Sequence, residues 1–171
     1  MTIAIRSFSP LFLAVTMTAL LLTACSGPGA HRTQLFSHDT INVNPEQRNE
    51  VVLTALALLD SRYKYGGSVP AQGFDCSGLV AYVFNNAANQ TLPHNTAEIA
   101  SLSRPISRKH LKAGDFVFFN TLNRPFSHMG IYIGDDNFIN APSTGGRVRI
   151  DSLSNPYFAK RFESARTVFG G

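Results

Sequence analysis

Apolar residues along this chain keep three different rhythms. From Leu11 to Leu22 they form a nearly continuous run behind one early positive charge, Arg6. The run closes on small residues and Cys25, an order that predicts a secretory signal segment over residues 1–24. It is shorter than the ~20 residues a helix needs to span a bilayer. Residues 25–43 then lose any period and mix Gly, Pro, Ser and His, which predicts a flexible tether.

From Asn44 the spacing becomes helical. Asn44 as cap, Pro45 at the first position and Gln47 three residues on predict a helix start with a capping box. Val51, Ala55 and Leu59 share one face, and the helix is expected to reach about Ser61. YKYGGSVPAQG reads as a loop. A second helix opens at Asp75 or Cys76, with Leu79, Val80, Val83, Phe84 and Ala87 as its stripe. A third is signalled by Asn95-Thr96-Ala97-Glu98 and ends before Pro105.

Beyond Pro105 the periodicity changes. Residues 115–119, 128–134, 137–141 and 147–151 are short aromatic and branched segments between Gly, Asn, Asp and Pro clusters. They predict an antiparallel meander, with 164–169 as one more strand. Helices first and strands later give an α+β domain over residues 44–171.

Charge adds little. The net charge is +4, falling to +3 if Arg6 is removed with the signal segment. No basic cluster with interleaved aromatics is present, which excludes nucleic acid as the expected partner. There is no H-E-x-x-H motif and no set of Cys and His at zinc spacing, so neither metal nor cofactor is expected. His31 and His38 read as solvated tether residues.

The two cysteines divide the chemistry. Leu22-Thr23-Ala24-Cys25 resembles a bacterial lipobox, which implies lipid on Cys25, cleavage before it and a membrane anchor. Ser26 stands where a retention signal for the inner membrane has Asp, so the expected location is the inner leaflet of the outer membrane, facing the periplasm. Cys76 is then a lone thiol at a helix start, where unpaired N–H groups and the helix dipole are expected to lower its pKa and to receive an oxyanion.

His128 opens a strand and Asn140 follows twelve residues later. A thiol, an imidazole and a polar orienting group are the parts of a cysteine nucleophile. Hairpin register decides whether the last two meet. A two-residue turn at Asp135-Asp136 puts them on opposite faces, whereas an odd-length loop or a bulge puts Gly130 opposite Asn140 and makes His128 and Asn140 diagonal neighbours. Gly78 and Gly130 are read as leaving room for the substrate and beside the imidazole.

At this point the chain, over about residues 44 to 170, resembles the NlpC family of papain-like cell-wall peptidases, particularly its small lipoprotein members. The stretches that carry the resemblance are YKYGG, GFDCSGLV, LPHNTAEIA, LKAGDFVFF, SHMGIYIGDDNFINA and NPYFAKRFESARTV. It implies helices packed on a central antiparallel sheet and hydrolysis of stem-peptide bonds in peptidoglycan. It also implies Cys76 as nucleophile, His128 as base and Asn140 where most relatives carry a second His. Tyr63 matches a tyrosine near the oxyanion position, and Asp75 and Ser77 match residues lining the substrate site. The expected mechanism starts from a Cys76 thiolate and a His128 imidazolium. His94 and Glu98 stand where relatives commonly have Arg and Gln.

The residues leave other readings open: a catalytically silent wall-binding or scaffolding lipoprotein, an amidase or acyltransferase with the same thiol chemistry, or an effector secreted against other cells' walls. Crosslink cleavage and stem trimming use the same triad, with the difference carried by loops such as 68–73 and 120–127.

Overall fold

The computed structural model describes residues 40–143 and 146–170. Cys25, the signal segment and most of the tether lie outside them. The end of the expected tether belongs to the domain instead. Val43 is buried, donates to Val168 O at 2.7 Å and accepts from Gly170 N at 2.9 Å, while Ile41 N donates to Leu102 O. Burying Val43 and satisfying these backbone groups outweighs the polar composition around it.

The first helix, α1 (Arg48–Leu56), follows a 3-10 turn at Pro45–Gln47. Asn44 Oδ1 accepts from Glu46 N at 3.0 Å, so the capping box through Gln47 does not form. The helix stops short of Ser61. Asp60 turns into the left-handed region at φ 65 and donates to Val148 O, and Ser61 O accepts from Val148 N. Those backbone groups are committed to Val148, distant in sequence, and no helix can use them as well.

The glycine-rich stretch after α1 is more than a loop. It folds into a ribbon of β1 (Ser68–Val69) and β2 (Gly73–Phe74). Next comes α2 (Cys76–Ala88), with Leu79, Val80, Val83 and Phe84 buried along its stripe and Asn89 closing it at φ 49. Asn95 caps α3 (Thr96–Leu102) by accepting from Glu98 N at 3.1 Å.

The remaining strands are β3 (Arg104–Ile106), β4 (Phe116–Phe119), β5 (His128–Gly134), β6 (Asn137–Asn140), β7 (Arg149–Ser152) and β8 (Phe162–Thr167), with α4 (Pro156–Ala159) before the last. They form one antiparallel sheet in the order β3-β8-β4-β5-β6-β7. The predicted meander is β4 to β7, and β8 returns to the other side of β4. β3 and α4 were not expected. Pro105 is accommodated because β3 is an edge strand.

Alternation along the strands separates two cores. Phe116 and Phe118 join Phe84, Leu79 and Val83 beneath the helices. Val117, Phe119, Phe138 and Phe158 make a second cluster under α4. The architecture is α+β, with α1 and α2 packed on β5. Among the described residues, no helix is long and apolar enough to cross a membrane.

Candidate active site

Cys76, Tyr63, Asp75, Ser77, His94, Arg124 and His128 line one cleft of about 540 Å³, together with parts of the 121–127 and 141–143 loops. Cys76 is a free thiol at the first turn of α2. Asp75 sets that turn. Its Oδ1 accepts from Gly78 N at 2.8 Å, from the Ser77 hydroxyl at 3.2 Å and from His94 Nε2 at 2.7 Å, while Oδ2 accepts from Gly66 N at 2.9 Å. Asp75 and Ser77 both line the cleft, yet their polar atoms hold the helix start and the 66–67 loop together.

The two glycines have a different reason from the one expected. A Cβ on Gly78 falls 2.0 Å from Gly67 O and 2.9 Å from His94 Nε2. One on Gly130 falls 2.6 Å from Phe138 Cδ2 and 2.7 Å from Ile139 O. Close packing of protein on protein excludes a side chain at either place, not room for a substrate.

The hairpin resolves the register question by a combination. Asp135 and Asp136 form a two-residue turn, both left-handed at φ 49 and φ 61, and Gly134 pairs with Asn137. The ladder then resumes as Tyr132 with Phe138 and Ile131 with Ile139, so Ile133 is a bulged extra residue. The turn alone would separate His128 from Asn140, and the bulge shifts the register by one and reunites them. His128 Nε2 lies 3.0 Å from Asn140 Oδ1. Both are buried, at 4% and 0% exposure.

Two features of this pair were not read from the sequence. Asn140 Nδ2 donates to Asp151 Oδ2 at 2.9 Å, and Arg149 Nε donates to the same oxygen at 2.8 Å. The imidazole also lies against the second core, stacked on Phe158 at 6.3 Å between centroids and 6.0 Å from Phe119. Alternation in RVRID hints at the shared face of Arg149 and Asp151, but only the β6–β7 register brings them to Asn140.

Burial of the separate groups works against the expected ion pair. Burial, reinforced by the Asp75 carboxylate, pushes the Cys76 thiol up to about 11, although N–H groups of Met129, Ser77 and Cys76 itself oppose the rise. Burial likewise pushes the His128 imidazole down, only partly offset by Asn140 and Asp151. Taken singly, each group is therefore shifted toward its neutral form. Helix-terminus stabilisation is real here, but desolvation exceeds it. Tyr63 is pushed up by burial and by Cys76 and Asp75, so its hydroxyl stays a donor.

With Nε2 turned to Asn140 Oδ1, the ring carries its proton there and Nδ1 is left to accept one. Among the described residues Nδ1 has no hydrogen-bond partner. A thiol, an imidazole acceptor and helix-start N–H groups in one cleft are equipped for acyl transfer. No group of three or more His, Cys, Asp or Glu among the described residues is placed to hold a metal.

Fold and cleft together define a papain-like domain, and residues 60–167 match the NlpC/P60 family. The chain belongs to that family. Murein DD-endopeptidase MepH of Escherichia coli K12 is 42% identical over 109 residues, covering 62% of this chain and 40% of its own length. A probable endopeptidase of Haemophilus influenzae Rd is 32% identical over 162 residues, covering 90% of this chain and 95% of its own. Among solved structures, an NLP/P60-family protein from Staphylococcus aureus Mu50, described as similar to lipoprotein, superposes with a TM-score of 0.66 at 26% identity, over 77% of this chain and 44% of that one. This chain thus spans under half of MepH and nearly all of the H. influenzae relative.

Proposed function

We propose that this protein is a cysteine peptidase that hydrolyses amide bonds in the peptides of peptidoglycan. The observation that carries the reading is the buried contact between His128 Nε2 and Asn140 Oδ1, 3.0 Å, with His128 lining the same cleft as Cys76. The names of its relatives support the substrate: MepH and MepS of E. coli are murein DD-endopeptidases, and MepS is also a murein LD-carboxypeptidase.

Catalysis starts from the neutral pair. His128 Nδ1 takes the thiol proton as the Cys76 sulfur bonds to the carbonyl carbon, and the carbonyl π electrons move onto oxygen. N–H groups at the start of α2, with the Tyr63 hydroxyl, hold that oxyanion. The imidazolium then gives its proton to the amide nitrogen, the C–N bond breaks and a thioester remains. Water, deprotonated by the same nitrogen, attacks the thioester and releases the acid and the thiol. Asn140 accepts from Nε2–H throughout and holds the ring.

The same reading includes a lipid anchor on Cys25, supported by Leu22-Thr23-Ala24-Cys25 and by the polar segment between it and Ile41. It places the domain in the periplasm, tethered to the inner leaflet of the outer membrane. Radiolabelled palmitate incorporation into the full-length chain, abolished by Cys25→Ala, checks the anchor.

The test of the activity is digestion of purified peptidoglycan by the full-length chain, with Cys76→Ala in parallel and products identified by mass spectrometry. New muropeptides from wild type alone are expected, and their masses name the bond. Binding to the wall without release by either protein would replace the peptidase with the wall-binding reading.

A further inference from the structure

Asn140 is the member of this site that is easiest to set wrongly. A side-chain amide offers oxygen on one side and NH₂ on the other, with almost the same shape. With the oxygen toward His128, the ring proton sits on Nε2 and Nδ1 is a base. With the NH₂ toward it, Nε2 must accept, the proton moves to Nδ1, and the ring cannot take a proton from a thiol. Burial does not choose between the two, since the volumes are equal.

Asp151 makes the choice. Its Oδ2 is 2.9 Å from Asn140 Nδ2, and a carboxylate oxygen accepts only. The Arg149 carbonyl, 3.5 Å from the same Nδ2, also accepts only. Arg149 Nε donates to Asp151 Oδ2 at 2.8 Å and holds the carboxylate in place. The sheet supplies the geometry: β7 pairs with β6 so that Arg149 is opposite Asn140 and Asp151 opposite Phe138, which makes Asp151 the diagonal neighbour of Asn140 on one face. Asp151 is itself largely covered, with 14% of its side chain exposed.

We propose that Asp151 is a positioning residue that acts through Asn140, fixing His128 in the Nε2–H form that leaves Nδ1 free as the base for Cys76. The catalytic consequence rests on the peptidase reading above. The tautomer itself does not, and can be measured without substrate.

The experiment uses the full-length chain, ¹⁵N-labelled at histidine, and long-range ¹H–¹⁵N correlation at about pH 7.5, where a histidine with the ordinary value of 6.5 or lower is neutral. Wild type is expected to show His128 as the Nε2–H form. Asp151→Ala is expected to show a mixture with the Nδ1–H form, and kcat on peptidoglycan peptides is expected to fall about ten- to a hundredfold with KM little changed. A swap guards against a general packing defect. In Asn140→Asp with Asp151→Asn, the carboxylate at 140 accepts from Nε2–H and the amide at 151 donates to it. This double variant is expected to restore the Nε2–H form and to recover most of the kcat lost in Asp151→Asn alone.

An unchanged His128 tautomer in Asp151→Ala overturns the proposal, whether or not activity falls. So does a folded swap variant that recovers neither property. If Asp151→Ala does not fold, the swap and Asp151→Asn decide the matter by the same spectrum. A wild type with the Nε2–H form and no hydrolysis supports the positioning role while removing the peptidase reading, so the two failures are distinct.

Discussion

The backbone amide of Met129, at the start of β5, faces the Cys76 thiol at the start of α2 and favours its charged form. The thiol thus lies next to the residue that follows His128, and it is partly covered there. Burial and Asp75 together hold the thiol at about 11. Alkylation of Cys76 by iodoacetamide should therefore accelerate continuously as pH rises past 9 toward 11. A flat rate between about pH 5 and 8, the signature of a resting thiolate paired with imidazolium, would contradict the neutral pair. Asp75→Asn removes the charge but keeps a capping oxygen. It should move the alkylation profile to lower pH, as read by mass spectrometry of the modified peptide.

His128 gives a second pH dependence, with the opposite sign. Its folded pKa lies below the ordinary 6.5 because the ring is desolvated against Phe119 and Phe158. Between that lowered value and 6.5 the unfolded chain binds a proton that the native ring does not. Stability from this group is complete above 6.5 and is lost as pH falls through the window. Urea titrations at a series of pH values should show that slope, and His128→Gln should flatten it. Asp151 and Arg149 from β7 are the charged groups that bear on the ring, and Cys76 from α2 lines the same cleft. The acid limb of kcat/KM should correspondingly lie below 6.5, and Phe158→Ala, by admitting water, should raise it.

Gly130 tests the register directly. A methyl group there meets the Phe138 ring and the Ile139 carbonyl, and the second of these is backbone. Strand β6 must move for Gly130→Ala to fold, at a cost of about 1–3 kcal/mol. Displacement of β6 carries Asn140 away from His128, so kcat should fall by more than the loss of stability explains. Chemical denaturation and steady-state kinetics on the same preparation separate the two effects.

Much of this could be read from residue order. The stripe of α2, the Asn95 cap and the strand segments are local patterns, and each lies within two residues of where its spacing put it. Cys76 and His128 were recognisable because a polar helix start and a strand-opening histidine are unusual surroundings for those residues. What escaped was set by partners distant in sequence. Asp60 and Ser61 leave the helix because Val148 takes their backbone groups. Ile133 bulges to let β6 keep its buried face while the hairpin keeps its preferred turn. The surroundings of the thiol were only half visible for the same reason. Helix position is local and visible, whereas burial by β5 is tertiary.

Away from the cleft, Arg48 and Asp115 form a buried ion pair at 2.9 Å, with the carboxylate side chain 1% exposed. Asp115 also accepts from Lys112 N at 2.8 Å, and Arg48 lies over the Phe169 ring at 4.0 Å. Arg48→Met strands a carboxylate in the interior, a loss of about 3–5 kcal/mol in urea denaturation. Replacing both, Arg48→Met with Asp115→Leu, should recover much of it. Cleavage of peptide substrates at a temperature where the variant stays folded should be unchanged, because neither residue lines the cleft that holds Cys76.

The last prediction concerns what the cleft binds. Arg124 lines it from the 121–127 loop, and it has no ion pair or hydrogen bond among the described residues. The loop beneath it is braced. Ser127 Oγ accepts from Thr121 N at 2.8 Å and Leu122 N at 3.2 Å, Phe126 N donates to Glu163, and Thr96 donates to Phe126 O. A guanidinium held over a cleft by a rigid loop suits a carboxylate, which it can grip with two parallel hydrogen bonds. His94, the basic group there besides His128, is already occupied by Asp75. Arg124→Ala should raise KM several-fold for peptides bearing a free carboxylate near the scissile bond, with kcat little changed. Arg124→Lys should recover only part, since an ammonium lacks the planar fork. Amidating that carboxylate should cost wild type what the alanine variant has already lost, and the variant itself nothing more. Equal sensitivity of both proteins to amidation would show that the carboxylate is read elsewhere.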